Sequence, residues 1–308
     1  MARRDLELDF GAETPRVKGI WGFFPFRDEA GADHAYATLH YGRFRTVIAH
    51  FLPAPGASAG GSFIRRWRLD RVVLGSLDGD RATCYESKRF TGEDGRPYLM
   101  YSASEARHRD VHIFVQRMLD PATPDPSFAP RALLSPQGLR SEDRNPGYIQ
   151  LVEGANIARI GDWYVLLYSA GDYARNNYKL GVAYSRELIP AEGRQYAKPV
   201  IPDPRNTWGN SGAAGEVCYL LQSEHKGWPN YCGHLVRGPG LGNIVKTGGA
   251  YHLVFHGYRP DDRRRRPCDR YVWMLPLDVN VGPGKPSQWI RPVLPRVRES
   301  GGARRANA

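Results

Sequence analysis

The sequence predicts an all-β protein folded as a β-propeller, and three features of its 308 residues support this prediction. Long apolar stripes at helical spacing are hard to find. The 34 glycines and 24 prolines are numerous enough to end strands at short intervals. A turn, a Tyr-centred strand and a second apolar strand recur four times along the chain. Repetition of a unit of this kind is typical of propeller blades.

Each of the four repeats reads as a turn-bounded hairpin. In chain order they are ADHAYATLHYG with RTVIAHFL, DGRPYLMYSAS with DVHIFVQRM, GDWYVLLYSAG with YKLGVAYS, and GGAYHLVFHGY with RYVWMLPLDV. The anchoring tyrosines are Tyr36, Tyr98, Tyr164 and Tyr251, at intervals of 62, 66 and 87 residues. These intervals leave room for about four short strands in each unit. A β-sandwich also has evenly spaced strands, but the repeated internal order of each unit favours the propeller.

The expected propeller has five blades, of which four are visible in the sequence. The alternating segments LELDF (residues 6–10) and WIRPVL (residues 289–294) either pair to close the ring or supply part of the fifth blade. Residues 1–295 are therefore expected to form a single propeller domain. The basic tail, residues 296–308, has the composition of a disordered end.

Charge and targeting signals exclude some classes of protein. The 43 Lys and Arg residues against 32 Asp and Glu residues give a net charge of +11, partly concentrated in a run at 261–270 and in the tail. A solvated loop and a loose terminus explain this excess better than nucleic-acid binding, because aromatic and basic residues do not interleave. The sequence shows neither a membrane span nor a signal peptide, so the expected location is cytoplasmic, or secreted if a leader has been removed.

The four cysteines do not indicate a disulfide scaffold or a zinc site. They are Cys84, Cys218, Cys232 and Cys268, and no two have the C-x-x-C spacing of zinc ligands. Buried free thiols are the favoured interpretation. Only Cys218 and Cys232 are close enough in sequence to suggest a bridge, which would matter in an oxidising compartment.

Two glutamates occupy positions where chemistry is expected. The inner strands of a propeller line a central funnel, so polar residues just before each Tyr-centred strand should face its axis. Glu86 and Glu153 lie at such positions in different blades, among aromatic and apolar neighbours. A carboxyl group there is either an exposed strand end or a desolvated acid with a raised pKa, as proton transfer near neutral pH requires.

Four segments resemble glycoside hydrolase family 43. VEGANIARIGDWYVLLYS resembles the family's general-acid blade, with Ala155 in place of a usual Pro. CYESKRFTGEDGRPYLMYS is similar to the blade whose carboxylate tunes the pKa of the acid, with Glu86 in place of the usual Asp. GPGLGNIV and YHLVFHGY resemble the last blade, with His256 at the axial histidine and Leu241 where a His is common. GIWGFFPF is similar to the opening of the second blade.

The resemblance implies inverting hydrolysis of an arabinofuranoside, a xyloside or another furanoside or pentose-containing glycan, as an oligo- or polysaccharide. Glu153 would be the general acid, and Glu86 would either hold up its pKa or serve as the base. No cofactor is required, although His256 is either a core residue or a neighbour of a structural Ca²⁺ in the central channel. The expected substrate contacts are Trp21, Tyr85, Asn156, Asn243, His256 and Arg270.

The family's catalytic base, an Asp that opens its first blade, has no convincing equivalent here. Asp5, Asp9, Asp28 and Asp33 are candidates by location only, and the last two resemble hairpin-turn residues. Three functions therefore stay open, in this order: a glycosidase, a non-hydrolytic carbohydrate-binding or degenerate propeller, and a basic scaffold for a polyanion.

Overall fold

The chain is almost wholly β in the parts that the structure describes. A computed structural model describes residues 6–14, 16–42, 45–57, 64–75, 83–104, 110–136, 143–145, 149–173, 177–201, 216–217, 219–224, 230–262, 270–280 and 290–295. A short 3-10 turn spans Gly11–Glu13. No helix within these ranges is long and apolar enough to cross a membrane.

The first two blades each contain five strands. Blade 1 consists of β1 (Glu7–Asp9), β2 (Gly19–Arg27), β3 (Asp33–Gly42), β4 (Arg45–Pro53) and β5 (Arg66–Leu74), in the spatial order β1-β5-β4-β3-β2. Blade 2 consists of β6 (Thr83–Thr91), β7 (Pro97–Ser104), β8 (Val111–Asp120), β9 (Thr123–Pro124) and β10 (Arg131–Leu134), in the order β6-β7-β8-β10 with β9 also on β8. The inner strands are β2 and β6.

Blades 3 and 4 each contain four strands, in sequence order from the axis outwards. A two-stranded sheet of β11 (Asp143–Asn145) and β12 (Ile149–Gln150) precedes blade 3. Blade 3 consists of β13 (Val152–Ile160), β14 (Trp163–Ala170), β15 (Lys179–Ser185) and β18 (Tyr219–Leu221). Between β15 and β18, the chain forms a separate two-stranded sheet of β16 (Val200–Ile201) and β17 (Glu216–Val217). Blade 4 is β19 (Arg237–Thr247), β20 (Ala250–Tyr258), β21 (Tyr271–Val279) and β22 (Ile290–Pro292).

The predicted propeller is confirmed, and its four hairpins are the antiparallel pairs β3–β4, β7–β8, β14–β15 and β20–β21. The expectation of a fifth blade is not met in the described residues, which form four. The two terminal segments do not pair with each other. Strand β1 pairs in parallel with β5, and β22 pairs with β21, so each becomes an outer strand of an existing blade.

In blades 1 to 3 the second strand buries both of its faces, which explains its nearly continuous apolar sequence. In β14, Leu166 and Tyr168 pack into the cluster shared with blade 2, whereas Val165 and Leu167 pack into the cluster shared with blade 4. Side chains alternate between the two faces of a strand, so one strand supplies two blade interfaces. Full burial of one such side chain contributes about 1.5–3 kcal/mol.

A bulge with a left-handed residue recurs in all four inner strands. The residues are Gly22 (φ 54°), Glu86 (φ 54°), Gly154 (φ 64°) and Leu241 (φ 53°), each at a shift of register with the second strand. A bulge bends a strand and re-aims the side chains around it. Positive φ is ordinary for glycine, but it is strained for Glu86 and Leu241.

Buried hydroxyl groups tie three of these bulges to the preceding blade. The amide of the left-handed residue donates to a hydroxyl on the second strand of that blade. The three bonds run from Glu86 to Thr38 Oγ1 (2.9 Å), from Gly154 to Ser102 Oγ (3.2 Å) and from Leu241 to Ser169 Oγ (2.8 Å). The hydroxyl-bearing residues are at most 1% exposed, so these bonds hold the inner strands together where water does not compete.

The cysteine prediction is confirmed where the structure describes it. Cys84 and Cys232 are buried free thiols, and the Cys232 thiol donates to the Gln222 carbonyl at 3.3 Å. Cys218, Cys268, most of the basic run (263–269) and the basic tail (296–308) lie outside the described residues.

Candidate active site

Glu86 and Glu153 come together at two neighbouring bulges. Glu153 immediately precedes Gly154 in β13, whereas Glu86 is itself the left-handed residue of β6. A Cβ placed on Gly154 would lie 3.1 Å from Glu86 Oε2, so the Glu86 carboxyl group rests against the residue that follows Glu153. The two acids are thus offset by one position in their blades, and Tyr85 is the structural equivalent of Glu153.

Both carboxyl oxygens of Glu153 accept hydrogen bonds from tyrosines. Tyr85 donates to Oε2 at 2.8 Å and Tyr178 donates to Oε1 at 2.6 Å, while Glu153 itself is only 6% exposed. Burial, followed by the charge of Glu153, raises the pKa of each phenol well above its usual value, so both tyrosines remain donors. Two donors aimed at two oxygens stabilise a negative charge on Glu153, whereas burial of the side chain opposes that charge.

Glu86 has the opposite surroundings. Its side chain is half-buried, and Oε2 is buried without a hydrogen-bond partner among the described residues. Burial and the nearby charge of Glu153 raise the pKa of Glu86, and Lys88 and Arg270 partly oppose this shift. An unpartnered carboxylate oxygen in such a place is costly, so the neutral form of Glu86 is favoured.

Three basic residues surround the pair of acids. The partly buried Lys88 has a lowered pKa because of desolvation, although Glu86 acts to raise it. Arg270 Nη2 donates to the carbonyls of Gly238 (2.7 Å) and His256 (3.2 Å), and its guanidinium lies 4.8 Å from the ring centroid of Tyr178. Burial, Arg270 and Lys88 together lower the pKa of His256, which favours the neutral imidazole.

These surroundings do not fit a Ca²⁺ ion beside His256. Ca²⁺ takes six to eight oxygen ligands, whereas the charged groups that act on His256 are the cations Arg270 and Lys88. Within the described ranges, no group of three His, Cys, Asp or Glu residues is arranged to hold a metal ion.

The other residues predicted to contact a substrate differ in the exposure of their side chains and in the contacts that they already make. Trp21 occupies the blade 1 position equivalent to Glu153, is 48% exposed and stacks on His40 with ring centroids 5.3 Å apart. The Asn156 amide donates to the Gly242 carbonyl at 2.5 Å and so connects the inner strands of blades 3 and 4. Asn243 is exposed on β19.

The aspartates considered as bases are engaged in turns. In the β2–β3 turn, Asp28 accepts a hydrogen bond from the Ala32 amide at 2.7 Å, and Asp33 pairs with Arg27 at 3.0 Å. Asp9 accepts a hydrogen bond from the Gly11 amide at 2.8 Å, and Asp5 lies outside the described residues. These contacts match the prediction of Asp28 and Asp33 as hairpin-turn residues.

Tyr178 and Lys88 belong to the site but are not among the residues predicted from the sequence. Tyr178 stands at the start of the apolar segment YKLGVAYS, where its hydroxyl group is the only local signal. Lys88 stands two positions after Glu86 in the polar run ESKR, where nothing distinguishes it from its neighbours.

The chain is similar to known proteins in its three-dimensional structure, whereas comparisons of its sequence find no match. No protein-family model and no curated protein matches the chain. The α-L-arabinofuranosidase of Lactobacillus brevis matches with a TM-score of 0.64 and 15% identity, over 87% of this chain and 76% of that one. A thermostable family-43 glycoside hydrolase matches with a TM-score of 0.61 and 17% identity, over 90% and 75%.

A third solved structure was determined with a sugar. The α-L-arabinanase of Cellvibrio cellulosa complexed with arabinohexaose matches with a TM-score of 0.60 and 17% identity, over 92% of this chain and 82% of that one. Identities this low show the fold alone. The chain thus has the propeller fold seen in glycoside hydrolases of family 43 and in arabinan-directed enzymes, as its sequence segments suggested.

Proposed function

We propose that this protein is a glycoside hydrolase that acts on a furanoside or pentose-containing glycan, with arabinofuranosides as the first candidates and xylosides as the second. The observation that carries the proposal is the meeting of Glu86 and Glu153 on the inner strands of adjacent blades, where Glu153 is buried and the pKa of Glu86 is raised. The similar solved structures, an arabinofuranosidase and an arabinanase bound to arabinohexaose, support this substrate class.

The site contains several of the groups that hydrolysis of a glycoside requires. One carboxyl group must protonate the departing oxygen while a nearby negative charge stabilises the oxocarbenium-like transition state. The exposed ring of Trp21 offers an apolar face for a sugar, and Lys88 and Arg270 offer N–H donors for its hydroxyl groups. The inverting outcome implied by the sequence resemblance is part of this proposal.

Hydrolysis of aryl glycosides tests the proposal. With 4-nitrophenyl α-L-arabinofuranoside and 4-nitrophenyl β-D-xyloside, the wild-type protein should release nitrophenol, fastest from the furanoside. Glu86→Gln and Glu153→Gln should each lower kcat/KM by about 10²–10⁴-fold. Glu192→Gln, at an exposed position on the outer connection, is the matched control and should keep full activity. Equal rates in all four proteins would refute the assignment of the site.

A carbohydrate-binding propeller without turnover is the second candidate. It is favoured by one observation, namely that Asp9, Asp28 and Asp33 are all engaged in turns and so do not supply the family's base. Calorimetric titration with arabino-oligosaccharides separates the two candidates. Saturable binding that survives in both Gln variants, with no sugar released by the wild type, would favour the binding protein.

A further inference from the structure

A leucine occupies the bulge in the inner strand of blade 4, at a position where glycine would be free of strain. Leu241 has φ 53°, a conformation that a residue with a bulky side chain rarely adopts. Gly22 and Gly154 have the same conformation at the bulges of blades 1 and 3, where the absence of a Cβ permits it. Strained residues cluster at functional sites, where their surroundings hold them in place. Leu241 is therefore a candidate for a role that glycine could not fill.

Two hydrogen bonds from blade 3 hold the backbone around Leu241. The Leu241 amide donates to Ser169 Oγ at 2.8 Å, and the carbonyl of Gly242 accepts a hydrogen bond from the Asn156 side chain at 2.5 Å. The bonds come from two different strands, because Asn156 lies on β13 and Ser169 lies on β14. Blade 3 thus fixes Leu241 in a conformation that it would otherwise avoid.

The side chain of Leu241 lies over Gly154 and beside Glu86. A Cβ placed on Gly154 would overlap Leu241 Cδ2 and lie 3.1 Å from Glu86 Oε2. The leucine methyl group and the carboxyl oxygen therefore border the same small space. That oxygen is buried and has no hydrogen-bond partner in the described part of the chain. Glycine at position 241 would leave this side of the carboxyl group open.

We infer that Leu241 is a positioning residue whose apolar side chain, held by a strained backbone, keeps water away from the carboxyl group of Glu86. The inference deepens the proposed function and rests on it for the consequence in catalysis. The sequence resemblance places a His at this position in many family members, so an apolar shield here is a feature of this chain. An apolar neighbour that offers no hydrogen bond disfavours the charged form of a carboxyl group.

The charged and titratable groups around Glu86 act in both directions. Burial, followed by the charge of Glu153 on β13, raises the pKa of Glu86, whereas Lys88 on β6 and Arg270 ahead of β21 lower it. The two phenols of the site donate to Glu153. Burial and the two cations lower the pKa of His256, which favours its neutral form. Leu241 contributes to the burial, and it can be replaced without altering any of these charges.

Leu241→Asn tests the shielding because it changes the polarity of the side chain and keeps its branched shape. Asparagine also adopts positive φ more readily than leucine, so the variant should fold. In protein labelled with ¹³C at glutamate Cδ, the NMR titration midpoint of Glu86, assigned with Glu86→Gln, should fall by about 1 pH unit in Leu241→Asn. Leu241→Met keeps an apolar side chain and should retain the wild-type midpoint.

Leu241→Gly provides a second measurement, since it opens the same space to water and removes the backbone strain. The midpoint of Glu86 should fall in this variant as well. An unchanged midpoint in either Leu241→Asn or Leu241→Gly would overturn the inference, and so would an equal fall in Leu241→Met. A leucine that only packs would change the free energy of unfolding in urea and leave the midpoint where it is.

The pH–rate profile tests the consequence in catalysis. With 4-nitrophenyl α-L-arabinofuranoside, Leu241→Asn should move the alkaline limb of kcat/KM to lower pH, because the pair of acids loses its last proton sooner. An unmoved limb would contradict the positioning role. Absence of turnover in the wild-type protein would refute the proposed function, while the NMR titration would still decide whether Leu241 shields Glu86.

Discussion

Gly154 is the position at which fold and site depend most closely on each other, and Gly154→Ala tests this dependence. Gly154 has φ 64°, and an added Cβ would overlap Leu241 Cδ2 and lie 3.1 Å from Glu86 Oε2. The substitution therefore combines backbone strain with a steric conflict against two neighbours in the funnel.

The expected cost can be built from these two parts. An L-residue in the left-handed region costs about 1–2 kcal/mol. Forcing an extra methyl group into a filled space costs about 1–3 kcal/mol, and the lower end applies here because the atoms it meets are the ends of two flexible side chains. The sum, about 2–3 kcal/mol, is a substantial part of the stability of an ordinary protein.

Gly248→Ala is the matched control, because Gly248 has φ 56° and an added Cβ would meet nothing within 4 Å. The free energy of unfolding, measured by urea denaturation, should fall by about 1–2 kcal/mol in Gly248→Ala and by about 1 kcal/mol more in Gly154→Ala. Equal losses in the two variants would mean that the side chains of Leu241 and Glu86 do not restrict the space above Gly154.

Three further predictions concern the pH dependence of stability, a hydrogen bond between two blades and the effect of Lys88 on the pKa of Glu86. His50 is 2% exposed, and burial lowers its pKa below 6.5. Unfolding below that pH takes up a proton, so the stability of the fold should decrease as the pH falls from about 7 to 5. In thermal denaturation, His50→Gln should show a weaker dependence of stability on pH over this range. Ser169→Ala removes the acceptor of the Leu241 amide and should lower the free energy of unfolding in urea by about 1–3 kcal/mol. No change would mean that water takes the place of the hydroxyl group. Lys88→Met removes a cation that lowers the pKa of Glu86, so the midpoint of Glu86 in an NMR titration of ¹³C-labelled glutamate carboxyl groups should rise, and a fall would contradict the placement of Lys88.

The parts of the fold that the sequence predicted are those in which one strand buries two faces. Runs such as WYVLLYSA are apolar along their whole length because Val165 and Leu166 pack against different blades. That double burial produces a repeating apolar pattern, so the hairpins could be predicted. The terminal segments could not be placed, because the alternation of LELDF suits any sheet edge and does not specify β5 as its partner.

The site was only partly predictable, for a related reason. Glu86 and Glu153 stand out as acids in apolar surroundings, which a sequence displays. Tyr178 acquires its role from a hydrogen bond across 25 residues, and Tyr85 from one across 68. The left-handed backbone of Glu86 is stabilised by Thr38 in another blade, and no local pattern signals a non-glycine residue with positive φ. The role of each acid therefore depended on tertiary contacts.

The central claim is that the funnel of this propeller cleaves a pentose glycan with Glu86 and Glu153. The most direct measurement is the chain length of arabino-oligosaccharides after incubation with the wild-type protein and with the double variant E86Q/E153Q. The account predicts shorter oligosaccharides or free arabinose from the wild type, and unchanged chains from the double variant. Chains that stay intact with the wild type, or are shortened equally by the double variant, would contradict it.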